Sequence, residues 1–419
     1  MFKVFKNKGI WLALLAVFAI VGVFATLQVG VKNNVQLHRV PVALVNEDTG
    51  KSAQKIDHKL RKKFTGHDSQ IKWVTVMHAS SLKRGFNDKR YYGALIINHH
   101  FTRNLTSQST YVKSLIVKQK LTAVQKSGQT LSPMMKAQLA LTKEHTATAP
   151  QAAPLSVKIN QGMNVMVAQA LTKALPAIGT ALGQKISQQE QKVLAGNKIY
   201  LSTANWQAIG QPIKTNITTV NRIPNKSVSG MAPMLFIVFA WLAALVGSML
   251  IWRVFHKTKP AGRWTIRHLT SQVLAGGLVS IVSGLSIYFF AHNCFDVVVP
   301  DASTLIWLLI GNTFVFFLIQ TCVLDWAGFK GWPLIILVWI SSAAVLSYAP
   351  ELLPSPSRTW IYSWTPMRFS MDTITNTLYF HNGSGTMASS LWTIGIIGIV
   401  FLGILYLVVL KKDRQGLLK

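Results

Sequence analysis

Six stretches of this chain run for about 20 residues each with almost no charge, and no other feature narrows its folding options as far. In a bilayer core every backbone N–H and C=O must be paired within the segment, so such stretches fold as helices. They lie near Ile10 to Gly30, Met231 to Trp252, Leu269 to Ala291, Thr304 to Leu324, Trp332 to Ala349 and Ser390 to Leu410, the fifth being the shortest. Lys3, Lys6 and Lys8 precede the first as in a signal peptide. Its apolar run is longer than a usual h-region, however, and Gln28-Val29-Gly30 is a poor small-x-small cleavage site, so it reads as an uncleaved anchor. Composition agrees: 50% of the 419 residues are hydrophobic and 13% charged, too apolar a balance for a soluble enzyme.

Orientation follows from Lys and Arg in the short loops, where the positive-inside bias acts. Basic residues precede the first span; Arg253, Lys257, Lys259, Arg263 and Arg267 follow the second; Lys411, Lys412, Arg414 and Lys419 follow the sixth. All three groups belong in the cytoplasm. HNCFDVVVPD, after the third span, has two Asp and no Lys or Arg, which suits the outside. The expected fold is an α-helical polytopic membrane protein of six transmembrane helices with an extracellular α/β domain inserted between the first and second. Residues 1–9 and 411–419 are then cytoplasmic and 10–30 form the first span. Residues 31–230 form the outer α/β plus helical domain, and 231–410 a five-helix membrane domain with an outer hairpin near 350–388.

An outer segment of about 200 residues buries a core of its own. Val40 to Val45, Lys72 to Val76, Tyr91 to Ile97 and Ser114 to Lys118 read as strands, and Ala53 to Phe64 and Asn160 to Lys192 have helical patterns. Thr142 to Pro154, rich in Ala, Thr and Pro, reads as a connection between an α/β lobe and a helical part. The segment holds 28 Lys and Arg against 7 Asp and Glu, a net of +21. Outside a cell such a surface attracts anionic wall polymers or lipid headgroups and not nucleic acid; charge kept for solubility is the other reading.

Residues 41–50 read PVALVNEDTG. Asn46, Glu47, Asp48 and Thr49 end a strand with side chains able to bond their own backbone, and Gly50 tolerates φ > 0. As a cation site the run offers only Glu47 and Asp48, without the spaced oxygens of a calcium loop. A second stretch, RGFNDKRYYGALIINHHFTRNL, carries Tyr91 and Tyr92. One span, an outer domain with these two stretches, and five more spans together resemble the YhgE/Pip (phage infection protein) group of ABC-2-type transporter permeases, over essentially the whole chain. LLPSPSRTWIYSWTPMRFSMDTITNTLYF, before the last span, is similar to the proline-containing region that such permeases place between their fifth and sixth spans. The resemblance implies a permease half in the plasma membrane of a Gram-positive bacterium. It would work as a homodimer or heterodimer with a separate ABC ATPase and move an amphipathic or envelope-related substrate outward.

No G-x-x-x-x-G-K-[ST] occurs, so this chain has no phosphate-cradling loop of that kind, and ATP hydrolysis falls to a partner. The basic loop RVFHKTKPAGRWTIRH, with Arg253, Lys257, Lys259, Arg263 and Arg267, is the expected ATPase contact; topology-setting charge near headgroups is its alternative. In the outer hairpin, prolines at 350, 354, 356 and 366 break helix and Met367 to Phe380 has a helical pattern, with Arg368 and Asp372 beside its apolar positions. That hairpin, from which Pro366, Arg368 and Asp372 are the candidate site residues, either closes the outer end of the pathway or carries an aromatic belt of Trp360, Tyr362 and Trp364.

Asp325 and Arg253 fall at span ends, within reach of water, and the scarcity of ionisable residues deeper in the spans argues against a proton-coupled transporter. Phe314, Phe316, Phe317, Gly276, Gly277 and Gly284 either line an apolar pathway or pack helices. No G-x-S-x-G, H-E-x-x-H or Cys/His metal spacing appears, so no catalytic residue, metal or cofactor is expected. Cys294 and Cys322 fall at opposite membrane faces, which excludes a disulfide between them. Two functional classes remain: an exporter permease subunit, or a surface anchor or phage-receptor-like protein whose spans only hold the outer domain.

Overall fold

Val40, Val42 and Leu44 point to one face of the first strand and Ala43 and Val45 to the other, and all five are fully buried. A strand buried on both faces needs cover on both sides of its sheet. The computed structural model describes residues 37–63, 66, 69–199, 201, 203–258, 264–380 and 385–410. The expected first span at 10–30, both chain ends, and Lys259 and Arg263 of the basic loop lie outside these residues.

Strands β1 (Val40–Asn46), β2 (Ile71–Thr75), β3 (Gly93–Ile97), β4 (Ala153–Asn160) and β5 (Ile213–Val220) form one sheet of order β2-β1-β3-β4-β5. β1 runs parallel to β2 and β3, β4 is antiparallel to β3, and β5 is parallel to β4. Helices α1 (Lys51–Lys63), α3 (Phe101–Lys126) and α5 (Val165–Gly196) cover one face, where Leu60, Phe101, Leu171 and Leu175 meet Leu44, Leu95 and Leu155. The short α2 (Leu82–Asn87) covers the other, packing Leu82 and Phe86 on Ala43, Val45 and Ile96. Each fully buried Leu or Phe contributes roughly 1.5–3 kcal/mol. Outside this core lie α4 (Pro133–Ala147) and α6 (Thr203–Gly210).

Two expectations need correction. Ser114 to Lys118 is not a strand but lies within α3, where Leu115 and Ile116 pack with Leu194 and Ile209; a five-residue apolar run fits a buried helical turn as well as a strand. Thr142 to Pro154 does not divide two lobes, because β4 begins at Ala153 and completes the same sheet with β5.

The remaining chain forms a bundle: α7 (Ala232–Lys257), α8 (Ile266–Tyr288), α9 (Ala302–Ala327), α10 (Trp332–Leu346), α11 (Pro366–Tyr379) and α12 (Gly385–Tyr406). Among the described residues, five helical stretches are long and apolar enough to cross a membrane: Val165–Gly196, Ala232–Lys257, Ile266–Cys294, Ala302–Leu346 and Gly385–Leu410. The 45-residue stretch is interrupted by a single tight turn at Gly328–Gly331, with Gly328 at φ 63°, and its halves α9 and α10 correspond to the fourth and fifth spans expected. The stretch at Val165–Gly196 is α5, whose Val167, Ala168, Leu171 and Leu175 are buried against the sheet, so a soluble-type core accounts for much of its hydropathy.

Helices α8 and α9 pack through glycine. A Cβ on Gly276 would stand 2.0 Å from Phe317 Cε1, and one on Gly284 would stand 2.6 Å from Ile310 Cγ1, whereas Gly277 meets nothing within 4 Å. Phe316 and Phe317 are fully buried, and Phe316 meets Trp241 edge-on at 5.0 Å. Of the two readings of this group, helix packing is the one these contacts fit. Asp325 also differs from expectation: it is only 6% exposed, and Gln272 on α8 donates to its Oδ1 at 3.4 Å. Helix α9 runs on through Ala327, so Asp325 sits inside the packed end of the bundle and not in water.

Candidate functional site

The turn after β1 is built by its own side chains. Asn46 Oδ1 accepts from the Asp48 N–H at 3.1 Å, and Asp48 Oδ1 accepts from the Gly50 N–H at 2.6 Å, two successive Asx bonds. Asp48 Oδ2 accepts from the Thr102 N–H at 2.8 Å, setting a carboxylate at the positive end of α3. Gly50 is required by close approach, since a Cβ there would lie 2.3 Å from Thr102 Oγ1. Glu47 Oε1 accepts from the Ala79 N–H at 3.2 Å. In sheets of this winding, ligands bind beyond the carboxyl ends of neighbouring strands whose connections leave in opposite directions. The groove at that position, between 47–50 and 99–103, is lined by Asp48, which is already committed to backbone donors. The turn reading of the motif accounts for these residues.

Burial pushes the Asp48 carboxyl up, but the Thr102 and Gly50 N–H bonds outweigh it and hold the group below its ordinary value. A depressed carboxylate stabilises the fold above its unfolded pKa, and that contribution is lost as pH falls through the folded pKa. Asp48→Asn is therefore expected to lower stability by roughly 1 kcal/mol at neutral pH, the usual size of a lost cap. The deficit should shrink once pH drops below about 3.9. Thermal unfolding of both proteins across that range checks it; a deficit independent of pH would refute the assignment.

Tyr91 and Tyr92, adjacent along the chain, turn to opposite sides. Tyr91 packs edge-on to Phe86 at 4.9 Å and donates to the Leu82 carbonyl at 3.2 Å, inside the domain. Tyr92 donates instead to Glu351 Oε2 at 2.7 Å, and the His38 N–H donates to the Glu351 carbonyl at 3.2 Å. Glu351 belongs to the segment following α10. Burial and then the Glu351 charge push the Tyr92 phenol well above its usual range.

Lys89, two residues before Tyr91 and in the left-handed region at φ 56°, makes the second link. Its Nζ lies 2.5 Å from Asp372 Oδ1 on α11 and 4.9 Å from the centroid of the Phe380 ring, and its side chain is only 10% exposed. Ser390 of α12 and Asn376 of α11 donate to the other oxygen of Asp372 at 2.8 and 3.3 Å. One carboxylate thus joins the α/β domain to two bundle helices. Burial pushes the Lys89 ammonium pKa down, and Asp372 pulls it back up.

Pro366 opens α11, where its missing N–H has no partner to lose. Arg368 stacks over Tyr362 at 4.7 Å and Phe369 at 5.0 Å and donates to the Tyr362 and Ser363 carbonyls, closing the hairpin on itself. Trp360 and Trp364 are 76% and 52% exposed, as an interfacial belt requires. Arg368 and Asp372, which sequence reasoning grouped together, therefore serve different contacts. Lys89, Glu351 and Ser390 were missed; the available signal was Asp372 itself, an acid in an apolar segment that needs a counter-charge.

The other end of the bundle carries the basic loop. α7 leaves the α/β domain at Ala232 and its 26 residues extend about 39 Å. At its far end Arg253 and Lys257 are exposed, as is Arg267 at the start of α8. The described residues on the two flanks of the loop are braced against each other. His268 bonds the Phe255 carbonyl at 2.9 Å and meets the Phe255 and Trp264 rings at 4.9 and 5.8 Å, while Trp252 and His256 stack at 4.7 Å. Trp264 and Leu269 are buried with Val408, and Thr270 bonds the Tyr406 hydroxyl at 2.8 Å, tying the flanks of the loop to the end of α12. Thr265 caps α8 by accepting from the His268 N–H.

No group of three or more His, Cys, Asp or Glu placed to hold a metal ion occurs among the described residues, and Cys294 and Cys322 are free thiols. Residues 8–407 match a family model described as ABC-2 family transporter protein. No curated protein and no solved structure matches the chain.

Proposed function

The chain belongs to the ABC-2 family of transporter proteins, a multi-pass membrane component of the permease kind, and on that premise we propose that it is the permease subunit of an exporter driven by a separate ATPase. In this reading it is a YhgE/Pip-type permease of a Gram-positive plasma membrane, acting as a dimer of permease halves and moving an amphipathic or envelope-related substrate outward. Its six spans leave both termini in the cytoplasm and residues 31–230 outside, where a net charge of +21 meets anionic wall polymers. The ATPase docks on the loop from Arg253 to Arg267.

The observation carrying this reading is the bracing of that loop's two flanks. Charge needed only to orient a span requires no particular structure, whereas force transfer requires a stiff element joined to several helices. The rings of Trp252, Phe255, Trp264 and His268 and the Thr270–Tyr406 bond supply such a connection from α7 to α8 and α12.

Affinity purification from the native membrane in mild detergent, followed by an ATPase assay, tests it. A P-loop ATPase is expected to co-purify in stoichiometric amount and to be lost when Arg253, Lys257 and Arg267 are all replaced by Gln, with surface expression unchanged. Intact protein recovered without any ATPase would instead assign the chain to the anchored-receptor class.

A further inference from the structure

Where the α/β domain meets the bundle, a cavity of about 240 Å³ is enclosed by the turn before α5, the start of α7, the segment after α10 and one side of α11. Its lining includes Met163, Met166, Met231, Met234 and Met371, five of the chain's 12 methionines, and no Lys, Arg, Asp or Glu. Two of the polar groups in the wall are engaged: Asn164 Oδ1 accepts from the Met166 and Val167 N–H groups, and Ser347 Oγ lies 3.3 Å from Met234 Sδ. Met166 and Met231, 45% and 47% exposed, edge the mouth with Gln169.

One wall is a backbone under strain. Val228, Ser229 and Gly230 follow one another at φ 54°, 53° and 83°, on the segment that leads from β5 into α7. A β-branched residue in the left-handed region is a true outlier, and such outliers collect at ligand clamps and switch segments. Gly230 cannot be replaced there, since a Cβ would lie 2.3 Å from Val165 Cγ2. The cavity therefore sits against the connection about which the domain would move relative to the bundle.

We infer that this cavity binds an aliphatic chain, with the polar end of the molecule at the mouth beside Gln169. The volume is below the roughly 300–1,000 Å³ of drug-sized sites, which suits a narrow chain better than a fused-ring or sugar ligand. An uncharged, mostly apolar lining offers no recognition for an ionic headgroup and favours an apolar guest. Unbranched thioether side chains adjust to a flexing chain at little cost. The site goes beyond ATP coupling and stands whether or not an ATPase docks on the basic loop.

The test uses the full chain in lipid nanodiscs and two photoprobes: a phosphatidylcholine with a diazirine on its acyl chain, and a diazirine-bearing fatty alcohol. Cross-links are mapped by mass spectrometry. Labelling is expected on peptides containing Met163, Met231 or Met371, and should fall roughly tenfold in Ser347→Phe, which fills the cavity, and in Met231→Trp, which blocks its mouth without touching the core. Labelling by the lipid probe alone assigns the chain to a bilayer lipid, and labelling by the alcohol alone to a diffusible amphiphile; both support the site. Absence of label from these peptides with either probe, or labelling unchanged in both variants, would overturn it.

Discussion

Asp372→Asn is expected to loosen the seat of the α/β domain on the bundle by about 3 kcal/mol, the lower end of what removing one partner of a buried ion pair costs. The lower end applies because the Asp372 side chain keeps 25% of its exposure while Lys89 keeps 10%. The loss comes mainly from what remains: an ammonium group, nine-tenths covered, facing an amide and the Phe380 ring. Ser390 and Asn376 also lose a charged acceptor, worth more than a neutral one. Removing both charges as Lys89→Met with Asp372→Leu should recover much of the deficit, because no buried charge is then left unpaired. Thermal unfolding of the purified full chain, arranged as a double-mutant cycle, measures the coupling. If Asp372→Asn unfolds with the wild type, the pair does not hold the junction.

Opposite outcomes are expected at two adjacent glycines in α8. Gly276→Ala places a methyl 2.0 Å from the ring of Phe317, which is fully buried, so the helices must separate or the ring must leave its rotamer. Overpacking of this kind costs about 1–3 kcal/mol, and the severity of the overlap puts Gly276 at the upper end. Gly277→Ala meets open space and should gain up to about 1 kcal/mol from helix propensity alone. Gly284→Ala, blocked by Ile310, should follow Gly276 in sign. Unfolding temperatures of the three variants in one detergent decide the matter. A destabilised Gly277→Ala, or a tolerated Gly276→Ala, would mean that α8 and α9 do not pack in this way.

Local features carried much of the reading. Five of the six expected spans fall on described helices, because length and hydropathy are properties of a segment and need no partner. The helix expected at Met367 to Phe380 forms from Pro366 to Tyr379, with proline at its start. Asn46 and Asp48 form the turn their side chains suggested, since an Asx bond reaches only two residues along the chain, whereas Gly50 is not at positive φ and is needed instead for its close approach to Thr102.

Illegible features depended on distant residues. Ser114 to Lys118 has the apolar density of a strand, and only the distant Leu194 and Ile209 settle it as helix. β4 and β5 escaped because β4 joins the sheet only by pairing with β3 across α3 and α4, and β5 only by pairing with β4 across α5 and α6. Gly276 and Gly277 are the same residue in the same helix, and only the position of Phe317 separates a packing site from an open one.

By itself the amino-acid order determined that the chain enters a membrane, where the helix at Pro366 starts, and which turn closes β1, because hydropathy, proline and short-range hydrogen bonds act within a few residues. Tertiary structure alone decided that Lys89 meets Asp372 and Tyr92 meets Glu351, and that five methionines face one cavity. These partners lie about 260–280 residues apart in sequence. No local preference encodes such a contact; it exists only once the sheet and the bundle are both built and pressed together.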